Sequence, residues 1–264
     1  MAAKKQVQYY KTFEDDFVAS SDQDYTLPDD YVWVRDSKGG RLARAVLYAV
    51  GYLFALLYGK FRLHLKIVRA VDLADYRDTG AIIYGNHTQP IGDAFIPGPV
   101  CAPKRFYTIC GPANLGIPVL GRLLPWMGAL PIPESISKMG DFLGAVQQRL
   151  KEKNCIIIYP EGHVWPYCTQ IRPYPATAFD YAIKNDVPAF CMTITYQARR
   201  FSSRPKTTVY LDWPFYADKS LSKPAQKKKL RDEIYACMQR RSAESTYEYI
   251  EYRPAQEANA DECR

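Results

Sequence analysis

From residue 60 onward, short apolar runs alternate with stretches whose apolar residues recur at helical spacing. The runs at 62–70, 81–84, 105–110, 129–132, 155–159, 189–196 and 207–213 are rich in β-branched and aromatic residues and predict strands. Between them, residues 135–150 place Ile136, Met139, Leu143, Val146 and Leu150 on one helical face. Lys151 and Lys153 follow at the C-terminal end, where cations complement the helix dipole. A short helix is predicted over 176–185. A longer one is predicted over 224–241, with Pro224 in its first turn and Leu230, Ile234 and Met238 on a shared face. Strands alternating with helices predict an α/β fold with a mostly parallel sheet flanked by helices. The chain has no internal repeat.

The ends break this pattern. Residues 1–40 read as an acidic, aromatic arm carrying Glu14, Asp15, Asp16, Asp22, Asp24, Asp29 and Asp30, with Pro28 and Gly39-Gly40 as breakers. Residues 251–264 read as a flexible tail. Segment 41–59 is uncharged from Ala45 to Gly59 and flanked by Arg41, Arg44, Lys60 and Arg62. Spanning a bilayer takes about 20 apolar residues, and this run is shorter and holds Tyr48, Tyr52 and Tyr58. Tyrosines favour the headgroup level. The segment therefore reads as a helix lying in a membrane interface, with a core helix of a soluble domain as the alternative. The remainder, 60–250, forms the main domain.

An apolar content of 47% over 264 residues excludes a disordered chain. The net charge of +7 favours anionic partners, a membrane surface or an anionic cosubstrate among them. The charge alone also fits nucleic acid, but the one lysine run, Lys227–Lys229, reads as a solvated helix face, so no nucleic-acid partner is expected. Seven cysteines without C-x-x-C spacing and a polar N-terminus predict reduced thiols in a cytoplasmic protein.

Two strand-like runs end abruptly in polar clusters: AIIYGNHTQPIGDAF (81–95) and CIIIYPEGHVWPY (155–167). They hold two of the three histidines, His87 and His163, together with Asp93 and Glu161. Open α/β sheets place their chemistry at the carboxyl ends of strands. A histidine there is suited to general base work, its unperturbed pKa being about 6.5. Asp93 is the local candidate to orient it, through a turn over Pro90 and Gly92. The alternative is a capping aspartate beside a satisfied loop histidine. His87, Asp93, Glu161 and His163 also have metal-ligand chemistry, though their spacing matches no zinc pattern and no metal is expected. A Cys168 nucleophile has no local signature.

Four ordered blocks, GNHTQPIGD (85–93), GALPIPES (128–135), YPEGHVW (159–165) and DVPAFCMTI (186–194), resemble those of the glycerolipid acyltransferase family, which includes the lysophosphatidic acid acyltransferases. The resemblance covers about 60–215. It implies an acyltransferase-like fold and transfer of a fatty acyl group from a thioester, acyl-CoA or acyl carrier protein, to a hydroxyl of a lyso-lipid acceptor. By the same resemblance His87 is the general base, Asp93 its partner, and Glu161, Gly162 and His163 belong to the acceptor site. No bound cofactor is implied, the acyl thioester being a co-substrate. The implied location is peripheral, on the inner face of the cell membrane.

Three features depart from that pattern. Five residues separate His87 from Asp93, where the family has four. Glu134 and Val164 stand where the family carries arginines associated with the acceptor's phosphate. Arg122 and Arg172, with Lys104 and Arg105, are the candidate replacement cations. The departures also leave open a non-catalytic domain that binds lipid or carrier protein. The aromatic stretch 163–167 suggests an aromatic-lined acceptor site. Lys104, Arg105, Arg199, Arg200, Arg204 and Lys206 are candidates for a basic rim facing the donor. Leu115, Leu120, Leu123, Leu124 and Trp126 are candidates for an acyl tunnel.

Overall fold

The computed structural model describes residues 6–18, 24–35 and 37–257; Asp22 and residues 258–264 lie outside them. Strand β1 is Gln6–Tyr10, α1 Lys38–Tyr58, β2 Lys66–Arg69, β3 Ala81–Gly85, α2 Gly92–Phe95, α3 Pro97–Cys101, β4 Phe106–Cys110, α4 Leu120–Met127, β5 Ala129–Pro131 and α5 Ile136–Lys151. Then follow β6 Cys155–Ile158, α6 Asp180–Asn185, β7 Ala189–Arg199, β8 Ser202–Phe215, α7 Lys223–Ser242 and β9 Ile250–Pro254. Seven strands form one sheet in the order β2-β8-β7-β3-β6-β4-β5.

All pairings in that sheet are parallel except β7 with β8. Sequential strands joined by helical crossovers give this arrangement, which covers the central strands on both faces. Every residue of β3 and β6 is accordingly buried, which is why these strands read as unbroken apolar runs. Alternate side chains divide between two cores. Ile82, Tyr84, Ile156 and Ile158 face α5, α6 and α7 with Trp33 of the N-terminal arm. Ala81, Ile83, Cys155 and Ile157 face α3 together with Leu63 and Leu73.

The structure corrects several sequence expectations. The strand expected over 62–70 is shorter: residues 59–63 continue α1 as a wider π-helical turn, and His64 in the left-handed conformation ends it. The buried face of α5 is Phe142, Ala145, Val146, Arg149 and Leu150. Ile136 and Leu143, predicted to be buried, are exposed. Phe142 and Ala145 supply a second, overlapping stripe about one residue round the helix, and packing against the sheet selects it. The strand expected at 207–213 is the middle of a 14-residue strand that turns back on β7 at Arg200-Phe201. The tail boundary expected at 251 also moves, because β9 pairs in parallel with β1 from Gln6↔Ile250 to Tyr10↔Pro254, tying the arm to the C-terminal segment.

Helix α1 and its π turn together run 26 residues, Lys38–Leu63, long and apolar enough by length and composition to cross a membrane. Only Gly40, Gly51 and Ala55 of α1 are buried, which rules out the fully buried core helix. Its inner face lies on α2, α3 and α4. Its outer face exposes Leu42, Val46, Val50, Leu53, Phe54 and Leu57, a stripe at helical spacing. Such a helix is compatible with peripheral attachment to a membrane.

Candidate active site

The break after β3 is anchored to the sheet by Asn86. Its amide donates to the Ile194 carbonyl at 3.1 Å and accepts from the Ile194 N–H at 2.8 Å. The chain then turns sharply, carrying His87 to the carboxyl edge. His87 Nδ1 lies 2.7 Å from Asp93 Oδ2. The same carboxylate oxygen accepts the N–H groups of Thr88 and Gln89, each at 2.9 Å. The five-residue gap is thus closed by a loop wound round the carboxylate. Gly92 makes the tight turn possible: a Cβ there would come 2.9 Å from the Gln89 side chain. Thr88 and Gln89 are held from behind by the Tyr196 hydroxyl, at 3.0 Å from each side chain.

The imidazole is 20% exposed and Asp93 is buried. One ring nitrogen is therefore fixed by the carboxylate, while the ring keeps an open edge. Tyr159 stacks on His87 with centroids 4.4 Å apart and planes 11° apart, and its hydroxyl donates to the Asp93 carbonyl at 2.8 Å. Burial pushes the Asp93 carboxyl above the ordinary carboxylate range, against the pull of the His87 hydrogen bond and the Gln89 and Thr88 amides.

Glu161 and Arg172 occupy a different place from the one expected. Glu161 Oε2 accepts the His87 backbone N–H at 3.1 Å and the Arg172 guanidinium at 2.7 Å, while Oε1 accepts the Arg172 N–H at 3.0 Å. Both side chains are 2% exposed. The Arg172 guanidinium also donates to the carbonyls of His87 and His163 and lies 4.8 Å over the Trp165 ring. Neither side chain has open surface for an acceptor. They clamp the 161–172 loop to the His87 loop, helped by the Trp165 N–H on the His87 carbonyl and the Tyr167 N–H on the Thr88 carbonyl. Burial raises the Glu161 carboxyl, with Arg172 pulling it down.

Tyr167 is half-buried and Trp165 fully buried, so the indole is not a lining open to an acceptor as expected. The Trp165 indole N–H donates to the Asp15 carbonyl at 2.8 Å, and Tyr10, Phe17 and Tyr252 pack on its ring. The acidic arm is therefore a strap across this loop. The His163 ring faces the strap, with Asp16 at 3.6 Å and Glu14 at 4.0 Å. It does not converge with His87, Asp93 and Glu161, so the four-residue metal ligand set is not assembled. Gly162 is exposed at φ +80°, a conformation that suits glycine. Burial pushes the Cys168 thiol up to about 12, the opposite of an activated nucleophile.

The expected cations divide. Arg122 is exposed on α4. Lys104 and Arg105 precede β4, at the opposite edge of the sheet from His87. Lys104 donates to the Tyr76 and Thr79 carbonyls, and Arg105 lies 4.1 Å over the Tyr48 ring. Neither belongs to a rim at the site. A narrow, partly open apolar cleft of about 110 Å³ begins next to Asp93 at Ala94 and Phe95 and runs between α1, β4 and α4, past Tyr52, Ala55, Thr108 and Met127. Of the leucines expected there only Leu124 lines it; α1 supplies the wall instead.

The mostly parallel sheet thus carries a His–Asp pair at its carboxyl edge, next to an apolar cleft. Residues 67–195 match the family model described as Acyltransferase. Among solved structures, the fold is similar to the 1-acyl-sn-glycerophosphate (LPA) acyltransferase PlsC from Thermotoga maritima. The two share 16% identity at a TM-score of 0.56, over 79% of this chain and 85% of that one. No curated protein sequence matches this chain. Tyr159, Tyr196 and Asn86 escaped the sequence reading as site residues. Asn86 and Tyr159 adjoin the two polar breaks, whereas nothing local marks Tyr196.

Proposed function

We propose that this acyltransferase moves a fatty acyl group from a thioester, acyl-CoA or acyl carrier protein, to the hydroxyl of a lyso-lipid acceptor at a membrane surface on the cytoplasmic side. What carries this reading is the His87–Asp93 pair at 2.7 Å, with an open imidazole edge beside an apolar cleft. Asp93 holds Nδ1 in its protonated tautomer, leaving Nε2 as the base. Nε2 removes the acceptor's hydroxyl proton as that oxygen attacks the thioester carbonyl. The new C–O bond forms, the C–S bond breaks, and the imidazolium returns its proton to the departing thiolate. The acyl chain lies in the apolar cleft between α1 and α4, which is narrow and runs away from Ala94 and Phe95. Glu161 and Arg172 hold the base in place.

The test is acyl transfer from a radiolabelled thioester into extracted lipid. His87→Ala is expected to abolish turnover with an unchanged circular dichroism spectrum, since a positioned base contributes about 10²–10⁴-fold. Undiminished transfer by a folded His87→Ala protein would favour the non-catalytic, lipid-binding alternative.

A further inference from the structure

β7 runs past its last pairing with β3, at Met192↔Gly85, to Arg199. The β7–β8 hairpin thus projects roughly 20 Å beyond the carboxyl edge where His87 sits. Its tip holds Arg200, Phe201 and Arg204, all exposed, with Phe201 90% exposed. The Arg200 guanidinium lies 5.1 Å over the Phe201 ring. Strand β8 of the hairpin packs against the turn that ends α1, and Arg204 is near enough to Tyr58 to act on it electrostatically. That turn repeats the tip's chemistry: Phe61 is 67% exposed, with the Lys60 ammonium 5.4 Å over its ring. Phe61 also continues the outer stripe of α1 through Leu53 and Leu57. Two exposed aromatics, each with a cation over it, therefore lie on neighbouring elements, one on the turn at the end of an exposed apolar helix face and one on the hairpin that packs against that turn.

We propose that the Lys60–Arg62 turn and the Arg200–Arg204 hairpin tip form one docking surface for the anionic headgroup layer of a lipid membrane, continuing the exposed stripe of α1 on the carboxyl side of the sheet. The cations meet the headgroup phosphates while the phenyl rings enter the boundary above the acyl chains. An acidic protein partner would complement the charge equally well. It would not account for the exposed rings or for their continuity with the α1 stripe. The proposal rests on the reading of α1 as interfacial. It adds a second contact that holds the carboxyl side of the sheet against the lipid, so that a lyso-lipid hydroxyl reaches His87 without leaving the surface.

The experiment is co-sedimentation of the full chain with phosphatidylcholine vesicles and with vesicles containing about one-third phosphatidylglycerol, at low and high salt. The variants are Arg200→Glu/Phe201→Ser/Arg204→Glu at the tip, the milder Arg200→Gln/Arg204→Gln, and Leu53→Ser/Phe54→Ser/Leu57→Ser on α1. Circular dichroism establishes that each is folded. The first tip variant is expected to lose roughly tenfold or more in affinity for anionic vesicles. The milder one should lose only the salt-sensitive part. Both should turn over a water-soluble short-chain acceptor at the wild-type rate. Tip variants that bind anionic vesicles like wild type, while the α1 variant detaches, overturn the tip contact and leave the α1 reading standing. A wild-type chain that sediments with neither vesicle overturns both. Unchanged vesicle binding with a raised KM for the thioester overturns the proposal and assigns the tip to the donor.

Discussion

At the residue scale the site turns on one carboxylate oxygen. Asp93 Oδ2 accepts from two backbone amides and from His87, while Oδ1 has no hydrogen-bond partner among the described residues. Such a group is costly to ionise when buried, yet it must be ionised to orient the imidazole. The unfolded chain releases this proton near pH 4, the folded chain only at higher pH. Between those values the folded form holds more protons, so this group's contribution to stability falls as pH rises through the window. Asp93→Asn should therefore lower acyl transfer by about 100-fold or more. Its melting temperature, relative to wild type, should rise between pH 4 and pH 8. Thermal unfolding at several pH values checks the second point; a difference independent of pH would mean that the Asp93 carboxyl is not raised.

At the scale of elements, the His87 loop depends on a loop 74 residues away through the Glu161 carboxylate. Breaking a buried ion pair by removing one partner costs about 3–5 kcal/mol, because the other charge is left uncompensated, whereas replacing both can be nearly neutral. Arg172→Met is thus expected to destabilise the chain by about 3 kcal/mol or more, and Glu161→Gln/Arg172→Met by clearly less. Urea unfolding of the two variants gives the comparison. Equal destabilisation would mean that Arg172 acts through its packing on Trp165 instead. The double variant should still lose turnover, because a neutral side-chain amide in place of the Glu161 carboxylate is a weaker acceptor for the His87 N–H.

At the scale of the whole molecule, the placement of the cations bears on which acceptor is expected. Arg172 is sealed beneath Trp165, and Lys104 and Arg105 lie at the far edge of the sheet. Glu134 is exposed at the carboxyl edge after β5. A carboxylate within 4 Å of a phosphate costs about 1 kcal/mol even at water-like screening. Lysophosphatidic acid and glycerol 3-phosphate should accordingly be poor acceptors beside a lyso-lipid whose phosphate is distant from the hydroxyl or absent. Competition among such acceptors for one acyl thioester measures the preference. Selective acylation of lysophosphatidic acid would point to Arg122, the remaining exposed candidate, as the phosphate clamp.

The apolar runs at 81–84 and 155–159 and the polar breaks after them made the sheet and the His87–Asp93 pair legible from the chain itself. A strand covered on both faces must be apolar throughout, and a histidine and a carboxylate six positions apart can meet through a local turn. The strap over Trp165, the Glu161–Arg172 clamp and the wall that α1 gives the cleft were decided only by tertiary structure. Each joins segments far apart in sequence, and periodicity along one element records that a face is buried but not what covers it. The same limit explains α5, where two overlapping apolar stripes were available and contact with the sheet chose between them. It explains Arg172 too. An arginine in a loop reads alike whether it clamps a substrate phosphate or a buried carboxylate, and only the burial of Glu161 beside it made the difference.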